Sequence, residues 1–504
     1  MIESVLVANR GEIAVRIIRA CRELGIRSVA VYSEADRLSP HVLLADEAYL
    51  LGPAPSAESY LRMDRILEVA RRAAVEGIHP GYGFLAERAA FAQAVEDAGF
   101  IFVGPTAATI AAMGDKTEAR QRMAAAGVPI VPGNTEALAD AAQARALARE
   151  MGFPVLLKAS AGGGGKGMRV VETEGEVERA LDAARREAGG AFGDDAVYLE
   201  KYLQNPRHIE IQLLGDTHGN IIHLGERECS IQRRHQKLVE ESPSPAVSPE
   251  LRSAMGAAAV RAAEAVDYRG AGTVEFLYEN GEFYFLEMNT RIQVEHPVTE
   301  LVTGIDLVQW QLRIASGERI PFRQDEIRPT GHAIECRITS ELPEEGFLPS
   351  TGRIRFLEIP SGPGVRWDGG ISQGSEVGLH YDPLLAKLIV HAPTRAEAIR
   401  RMARALDELI VDGVDTCRSF HRRVMDEPDY RAGNVTIRYL EEHPGILDGD
   451  GAGEMDREER RIAAALAGLL EAERRHSIRP PRIQGEDRSL SGWQGARGAW
   501  RAGQ

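Results

Sequence analysis

The chain has 504 residues, of which 44% are hydrophobic and 27% are charged, a composition typical of a soluble globular protein. Its net charge of −15 argues against general binding to nucleic acid or to a membrane surface. No apolar run is long enough to predict a transmembrane helix, and the first residues lack the pattern of a secretory signal. We therefore expect a cytoplasmic protein of about three domains that binds neither nucleic acid nor membrane.

The first segment has the pattern of a parallel sheet with crossover helices. Residues 4–8 predict a buried strand, 11–24 a helix with an apolar stripe, and 28–32 a second strand. Such signals continue to Gly104-Pro105, which predicts a doubly wound domain over about the first 115 residues. The dinucleotide motif GxGxxG is missing after the first strand, so nicotinamide binding is disfavoured.

A glycine run marks the next segment. The sequence GVPIVPG (127–133) predicts a hinge, followed by a helix over 137–151 and a strand over 154–160. The strand leads into SAGGGGKG (160–167), where glycines would let backbone N–H groups approach a phosphate closely. It is not a Walker A loop, because Gly167 stands where that motif needs a hydroxyl. Lys158 and Lys166 favour a phosphate-binding role over a flexible turn.

Strands follow the segment 196–203, which is itself predicted as a strand ending in a connector. The pair Asn280-Gly281 predicts a tight hairpin, which places Glu275 and Glu287 on neighbouring antiparallel strands. Two carboxylates and the amide of Asn289 would form an all-oxygen site suited to Mg²⁺. Arg291 beside them suits a planar anion.

The segment RECSIQRRHQK (227–237) is dense in donors. Gln232, Arg233, Arg234, His235 and Lys237 predict an anion site, and a solvated loop is the alternative. Cys229 lies in this segment, although each of the four cysteines is expected to be a small buried thiol. On the preceding strand, the residues 208, 210 and 212 are expected to share one face.

A third region, 319–447, opens with HAIECRI, which places Arg337 on a strand. It continues with the Gly-rich strands TGRIRFLEIP and GVRWDGG and a helix over 395–409. The tail, 448–504, combines a charged helix over 457–475 with a segment too poor in aliphatic residues to form a core. Its tryptophans, 493 and 500, are candidate anchors for a partner.

Nine segments, in one order, resemble biotin carboxylase, the ATP-grasp subunit of acetyl-CoA carboxylase and related enzymes. They are VANRGEIAVRIIRA, HPGYGFLAE, GDKTEAR, KASAGGGGKGM, EKYLQNPRHIEIQ, RECSIQRRHQK, GAGTVEF, EMNTRIQVEHPVTE and HAIECRI. The resemblance implies a mixed α/β and α+β, ATP-grasp fold. It has an N-terminal Rossmann-like domain (1–114), an ATP-grasp domain (115–318) with a mobile lid (about 131–203), a C-terminal domain (319–447) and the tail.

The resemblance also implies a reaction, in which MgATP, bicarbonate and biotin give ADP, phosphate and N-carboxybiotin. The implied ATP contacts are Lys116, Lys158, Gly164, Gly165, Glu200, Lys201, Tyr202, Leu203, His208, Gln232, His235, Glu275 and Glu287. The implied ligands of Mg²⁺ (or Mn²⁺) are Glu275, Glu287 and Asn289. Bicarbonate is assigned to Lys237, Arg291 and the backbone of Val294, with Glu295 as the general base. Biotin is assigned to Tyr82, Gly83 and Arg337, and the catalytic set is Arg291, Glu295, Lys237 and Arg337.

The partners follow from what the sequence lacks. No AMKM-like attachment site is present, so biotin is expected on a separate biotin carboxyl carrier protein, and carboxyltransferase subunits are expected to choose the acceptor. Acetyl-CoA, propionyl-CoA, another acyl-CoA and pyruvate all stay open, and the family suggests a homodimer. Ala161 and Lys166 depart mildly from the family pattern. The alternatives are another ATP-grasp ligase, such as a carbamoyl-phosphate-forming enzyme, and a non-catalytic nucleotide-binding protein.

Overall fold

The computed structural model describes residues 1–134, 137–159, 168–192 and 195–448, together with 461–462, 465–466 and 468–469. Side chains are described for all of these except residues 116, 117, 191 and 192. The chain divides into two compact units, Met1–Gly449 and Asp450–Gln504. In the second unit the described residues are helical, and Ile462, Leu466 and Leu469 are exposed.

The N-terminal segment forms a five-stranded parallel sheet, which confirms the doubly wound prediction. Its elements are β1 (Ser4–Val7), α1 (Gly11–Glu23), β2 (Arg27–Ser33), α2 (Pro40–Leu44), β3 (Glu47–Gly52), α3 (Met63–Arg72), β4 (Gly77–His79), α4 (Ala89–Asp97), β5 (Ile101–Phe102) and α5 (Ala107–Gly114). The strand order is β3-β2-β1-β4-β5. Because side chains alternate along a strand, Val5 and Val7 pack with Ile17 of α1, while Leu6 packs with Ile66 and Phe91.

A small three-stranded sheet follows α6 (Lys116–Ala125). Its elements are α7 (Ala141–Met151), β6 (Val155–Ala159), β7 (Met168–Val171), α8 (Val177–Phe192) and β8 (Val197–Lys201), with β6 central and antiparallel to both neighbours. The prediction that α7 begins at residue 137 is wrong by four residues. The Asp140 side chain accepts from the backbone N–H of Gln143, and this N-cap starts the helix at Ala141.

The remaining elements build one eight-stranded sheet and its surroundings. They are β9 (Arg207–Gly215), β10 (Ile221–Arg233), β11 (Gln236–Ser242), α9 (Pro249–Glu264), β12 (Gly270–Glu279), β13 (Glu282–Asn289), α10 (His296–Thr303), α11 (Leu307–Ala315), β14 (His332–Thr339), β15 (Glu341–Leu342), β16 (Leu348–Pro349), β17 (Gly352–Arg353), β18 (Phe356–Glu358), β19 (Val365–Gly369), β20 (Glu376–Val377), β21 (Leu384–Ala392), α12 (Arg395–Glu408), β22 (Ile410–Asp412), α13 (Arg418–Asp426), α14 (Pro428–Ala432) and α15 (Tyr439–Glu442). The order of the large sheet is β13-β12-β9-β10-β11-β14-β21-β19.

The observed strand pairing differs in two places from the regions and strands that the sequence predicts. Strand β14, at the start of the predicted third region, pairs with β11, so that region shares a sheet with the strands of the predicted ATP-grasp segment. The predicted strand TGRIRFLEIP is split into β17 and β18, which pair with different partners, β20 and β22. The buried Ile354 between them marks where the chain changes partner.

Candidate active site

The hairpin β12–β13 carries a pair of carboxylates, as its turn predicts. Glu275 and Glu287 lie directly opposite each other in the antiparallel register. Glu275 is buried and Glu287 is exposed, and Asn289 Nδ2 donates to Glu275 Oε1 over 3.0 Å. These residues offer only oxygen ligands on two adjacent strands, a donor set that fits Mg²⁺ or Mn²⁺.

Glu275 is ionised in this setting. Its Oε2 lies 3.0 Å from His208 Nε2, and its Oε1 accepts from Lys237 Nζ over 2.8 Å. Burial alone would raise the pKa of Glu275, but the charges of Lys237 and His208 hold that pKa well below its ordinary value. The predicted alignment of His208 and Glu210 along one face of β9 is confirmed, with 3.9 Å between Nε2 and Oε2.

Lys237, near the start of β11, is the centre of the cluster. Its ammonium donates to three carboxylates: Glu210 at 2.5 Å, Glu275 at 2.8 Å and Glu295 at 2.7 Å. Burial would lower the pKa of Lys237, but these three negative charges raise it well above its ordinary value. The lysine is therefore charged, and its ammonium holds these three carboxylates together.

Glu295 lies between two cations that come from different parts of the chain. Its Oε1 accepts from Lys237, and its Oε2 accepts from Arg337 Nη2 over 2.9 Å. Burial would raise the pKa of Glu295, but Lys237, Arg337 and Arg227 hold it well below its ordinary value. The pairing of β11 with β14 brings Lys237 and Arg337 to this one carboxylate.

Arg227 on β10 organises this cluster, and the sequence reasoning missed it. Its fully buried guanidinium donates through all three nitrogens. The acceptors are Glu210 (2.5 Å), Gln212 (2.6 Å), Thr299 (3.0 Å), Thr273 (3.1 Å) and Gln293 (2.7 Å). A buried arginine needs such complete pairing. The available signal was an arginine within a strand, where a buried charge must find partners.

The predicted convergence of five donors between residues 232 and 237 is wrong. Arg233 turns away, stacking 4.6 Å from the ring centre of Phe347 and donating to Gly346 O over 2.7 Å. Arg234 and His235 are exposed at the β10–β11 turn, with positive φ angles of 48° and 67°. Of the five donors only Lys237 therefore joins the carboxylate cluster, and Gln232 is buried opposite it on the neighbouring strand.

Arg291 and Val294 follow the hairpin. Arg291 Nη2 donates to Asn289 Oδ1 over 2.8 Å, and its Nε lies 2.9 Å from Glu87 Oε2 in the N-terminal segment. The carbonyl of Val294 accepts from Lys387 Nζ over 2.9 Å. Two of the three predicted bicarbonate ligands, Arg291 and Val294, therefore come from the same short stretch as the carboxylate Glu295.

The predicted ATP contacts Glu200–Leu203, which we call the nucleotide hinge, lie at the end of β8 and just after it. Glu200 is buried and is contacted by both Lys158 and Arg120, and the backbone N–H of Lys201 donates to Pro132 O over 2.8 Å. A cavity of about 490 Å³ adjoins the hinge. It is lined by Lys201, Tyr202, Gln204, Asn205, Arg207, Tyr278, Glu279 and Asn280. Leu203, partly buried, lies between the lining residues 202 and 204.

The predicted biotin-side loop follows β4. Tyr82 donates through its hydroxyl to the carboxylate of Glu12, and Asn9 Nδ2 donates to Tyr82 O over 2.7 Å. Gly83 has a φ of 65°, a conformation that glycine adopts without strain. The loop is thus held by residues at and just before the start of α1.

Some predictions fall outside the described residues. Gly164, Gly165, Ala161 and Lys166 belong to this group, as do the side chain of Lys116 and nearly all of the tail. Among the residues that are described, no helix has the length and apolarity needed to cross a membrane. All four cysteines are buried and free, and Cys229 lies beside Glu210 and Glu295.

Comparison with family models covers most of the chain. Residues 1–110 match the biotin carboxylase N-terminal domain, and 335–442 match the biotin carboxylase C-terminal domain. Residues 115–323, between them, match the carbamoyl-phosphate synthase L chain ATP-binding domain. The central model alone would suit a carbamoyl-phosphate-forming ligase, but the two flanking models are those of biotin carboxylase.

Curated relatives and solved structures agree. The chain is 54% identical over 447 residues to biotin carboxylase from Haemophilus influenzae, covering 88% of this chain and 100% of that protein. It is 54% identical over 451 residues to a pyruvate carboxylase subunit from Methanothermobacter thermautotrophicus, covering 89% and 92%. A crystal structure of the biotin carboxylase domain dimer of Hydrogenobacter thermophilus 2-oxoglutarate carboxylase, in complex with MgADP, ADP and bicarbonate, matches with a TM-score of 0.82. The identity is 51%, over 89% of this chain and 99% of that one. These matches confirm the predicted ATP-grasp fold, and the chain belongs to the biotin carboxylase family of ATP-dependent ligases.

Proposed function

We propose that this biotin carboxylase catalyses the first half-reaction of a biotin-dependent acyl-CoA carboxylase. ATP and bicarbonate form carboxyphosphate, whose carboxyl group passes to biotin on a separate carrier protein. The observation that carries the proposal is the placement of Glu295 between Lys237 and Arg337, beside the carboxylate pair of the β12–β13 hairpin.

Glu295 acts as the general base in this proposal. A bicarbonate oxygen attacks the γ-phosphorus, the bond to ADP breaks, and Glu295 takes the bicarbonate proton. Lys237 and Arg291, with the backbone of Val294, bind the bicarbonate. Lys237, the cation with the largest lowering effect on the pKa of Glu295, is also a proposed bicarbonate ligand, so bound bicarbonate shares its charge and makes Glu295 a stronger base.

The nucleotide side uses the hinge and the hairpin. Lys158, the Glu200–Leu203 hinge, His208, Gln232 and His235 are proposed ATP contacts. Glu275, Glu287 and Asn289 would hold the metal, which when bound offsets the negative charge of the phosphate groups. Lys116, Gly164 and Gly165 remain proposed contacts on the strength of the resemblance, and closure of the lid would exclude water from the labile carboxyphosphate.

Arg337 serves biotin in the second step. Carboxyphosphate breaks down to CO₂ and phosphate, the phosphate takes the proton from biotin N1, and the resulting enolate attacks CO₂. The enolate oxygen carries negative charge, which a fixed guanidinium stabilises. Arg337 donates through Nε to Glu240 and through Nη2 to Glu295, and no hydrogen bond among the described residues uses Nη1. That third nitrogen is left for the ureido oxygen, and Tyr82 and Gly83 are the other proposed biotin contacts.

The activity is tested by measuring ADP release with free biotin as the acceptor. We expect release to depend on both bicarbonate and biotin, and carboxybiotin to accumulate in step. An ATPase that is indifferent to the omission of either substrate would contradict the proposal.

The acceptor is chosen by another chain. We favour acetyl-CoA or another acyl-CoA, while the similarity to the Methanothermobacter pyruvate carboxylase subunit supports pyruvate as the second candidate. Affinity purification from the native cell should recover the carrier and the carboxyltransferase. The recovered complex is then assayed with acetyl-CoA, propionyl-CoA, pyruvate and 2-oxoglutarate, and turnover of a keto acid alone would reject the acyl-CoA assignment.

A homodimer is the proposed oligomeric state, since the matched Hydrogenobacter structure is a dimer. Sedimentation velocity on the full chain should give twice the chain mass of 55.0 kDa. A single monomeric species across the micromolar range would reject it.

A further inference from the structure

Lysine is rare in this chain. Only six of its 60 Lys and Arg residues are lysine. Four of them, Lys116, Lys158, Lys201 and Lys237, are proposed site residues, and Lys166 lies in the glycine run. The sixth, Lys387, has no role in the proposed reaction. Because most of the other cationic side chains are arginine, the presence of lysine at position 387 needs an explanation.

Lys387 lies inside the large sheet, next to the active site. On β21 it is the direct cross-strand partner of Arg337 on β14, and on its other side it pairs with Asp368 on β19. Its side chain is fully buried. The ammonium donates to Val294 O over 2.9 Å and lies 3.0 Å from Glu12 Oε2 and 4.0 Å from Asp368 Oδ2.

The site suits an ammonium better than a guanidinium. An ammonium is compact and sends its donors in three directions, whereas a guanidinium is a wide planar fork. Lys387 contacts one carbonyl and two carboxylates that come from three separate elements. In a closely packed interior the wider group would displace at least one of them.

At one end, Lys387 contacts residues 291–295, which we call the bicarbonate turn because Arg291, Val294 and Glu295 are assigned to bicarbonate. The carbonyl of Val294 belongs to the peptide bond that joins Val294 to Glu295. Glu295 is the N-cap residue of α10, but its side chain makes no capping hydrogen bond and points into the active site instead. By holding the Val294 carbonyl, Lys387 fixes the orientation of the peptide that presents both residues.

The other end leads to the biotin-side loop. Glu12, buried in the first turn of α1, accepts from the Tyr82 hydroxyl with one oxygen and pairs with Lys387 through the other. A continuous path of contacts therefore runs from Tyr82 through the buried Glu12 and Lys387 to Val294. It joins the loop assigned to biotin with the turn assigned to bicarbonate, although these belong to distant parts of the sequence.

We propose that Lys387 and Glu12 are positioning residues that fix the biotin-side loop relative to the bicarbonate turn, so that CO₂ is released within reach of biotin N1. The inference rests on the proposed function and adds a structural reason for coupling its two steps. Without this path, ATP would still be cleaved, but a larger share of the carboxyphosphate would be lost to water before biotin is carboxylated.

The test uses Lys387→Arg, Glu12→Gln and Tyr82→Phe in the full-length chain, with ADP and carboxybiotin measured in the same reaction. A small misplacement of reacting groups lowers rates by up to about 100-fold, so we expect carboxylation kcat to fall about 10- to 100-fold. The ADP released per carboxybiotin should rise while MgADP affinity stays unchanged, and in Tyr82→Phe, which alters no buried charge, the thermal midpoint should stay unchanged as well. The double variant Glu12→Gln/Tyr82→Phe should have the same carboxylation kcat as the less active of the two single variants, because both changes interrupt the same path.

Tyr49→Phe is the matched control, since the Tyr49 hydroxyl donates to Glu47 over 2.8 Å away from the site. It should behave as the wild type. The inference is overturned if Glu12→Gln and Tyr82→Phe keep the wild-type ratio of ADP to carboxybiotin. It is also overturned if both products fall equally together with the thermal midpoint, which would show a purely structural role. These two variants decide the matter even where Lys387→Arg does not fold. A wild-type chain without biotin-dependent ADP release would instead reject the proposed function.

Discussion

The two main sheets of this protein differ in what they bury. The five-stranded sheet buries aliphatic side chains, such as Leu6 and Val31, which the hydrophobic effect stabilises. The eight-stranded sheet buries Glu210, Arg227 and Lys387 to the same depth. Buried charges stabilise a fold only while every partner remains in place. The core of the first sheet is thus mainly aliphatic, whereas the second sheet also holds buried charges, which surround the active site.

The largest effect is expected for Glu287→Ala in the second sheet. The change removes a proposed metal ligand, and the loss of several kcal/mol of transition-state stabilisation corresponds to about a 10³-fold or greater drop in turnover. Steady-state ADP release measures it. Glu282→Ala, at an exposed position of the same hairpin, is the control and should stay active. Near-normal turnover in Glu287→Ala would contradict the metal assignment.

Arg337→Ala is expected to separate the two chemical steps. Loss of the guanidinium should lower biotin carboxylation by about 10²–10³-fold, because one donor to a developing oxyanion is removed. Bicarbonate-dependent ATP cleavage should fall less. Arg355→Ala, which removes an exposed partner of Asp412, provides the control. Equal losses of both activities would argue against placing Arg337 on biotin.

Stability should distinguish the sheets directly. Arg227→Met leaves Glu210 buried with less compensation, and we expect the free energy of unfolding to drop by about 3–5 kcal/mol. Adding Glu210→Gln should recover part of that loss, because the uncompensated charge is then gone.

In the five-stranded sheet, Leu6→Ala should lower the free energy of unfolding by about 2–5 kcal/mol, because the lost side chain leaves a cavity. No second substitution that removes a charge should recover this loss. Urea unfolding of these variants makes the comparison. A double variant that is no more stable than Arg227→Met would show that charge compensation is not what matters in the large sheet.

The smallest effect concerns pH. Burial raises the pKa of Glu240 from 4.5 to about 7, although Arg337 opposes the rise. The unfolded chain would lose this proton near pH 4.5 while the folded protein keeps it, so this group's contribution to stability is full below pH 4.5 and is lost as pH rises to about 7. Relative to the wild type, Glu240→Gln should therefore gain stability across that window. Thermal midpoints at about pH 5 and about pH 7.5 check this, and a constant difference between the two proteins would contradict it.

The features that the sequence predicts best depend on local patterns. The Asn280-Gly281 turn sets the register that brings Glu275 opposite Glu287, and the βαβ pattern sets the parallel sheet. Both follow from the backbone preferences of a few neighbouring residues. The family is likewise identified directly from the sequence, by the nine long motif matches.

The features that the sequence does not predict depend on contacts between distant elements. Arg227 collects acceptors from four other segments, and Lys387 meets Glu12 only because β21 lies next to α1 in space. Arg233 leaves the donor cluster because Phe347, far along the chain, offers its ring. No local pattern encodes such partners, so charge density alone overstated the anion site between residues 232 and 237.

The pairing of β11 with β14 has a consequence for how the enzyme could be divided. Four residue pairs, from Val239 opposite Cys336 to Ser242 opposite Ala333, join the metal-side strands to the strand of Arg337. A chain cut in the connection between Gly317 and Gly331 would leave two fragments that still share this ladder. The β11–β14 ladder therefore suggests a way to reconstitute the enzyme from two separately expressed fragments. Restored carboxylation would show that the fragments associate.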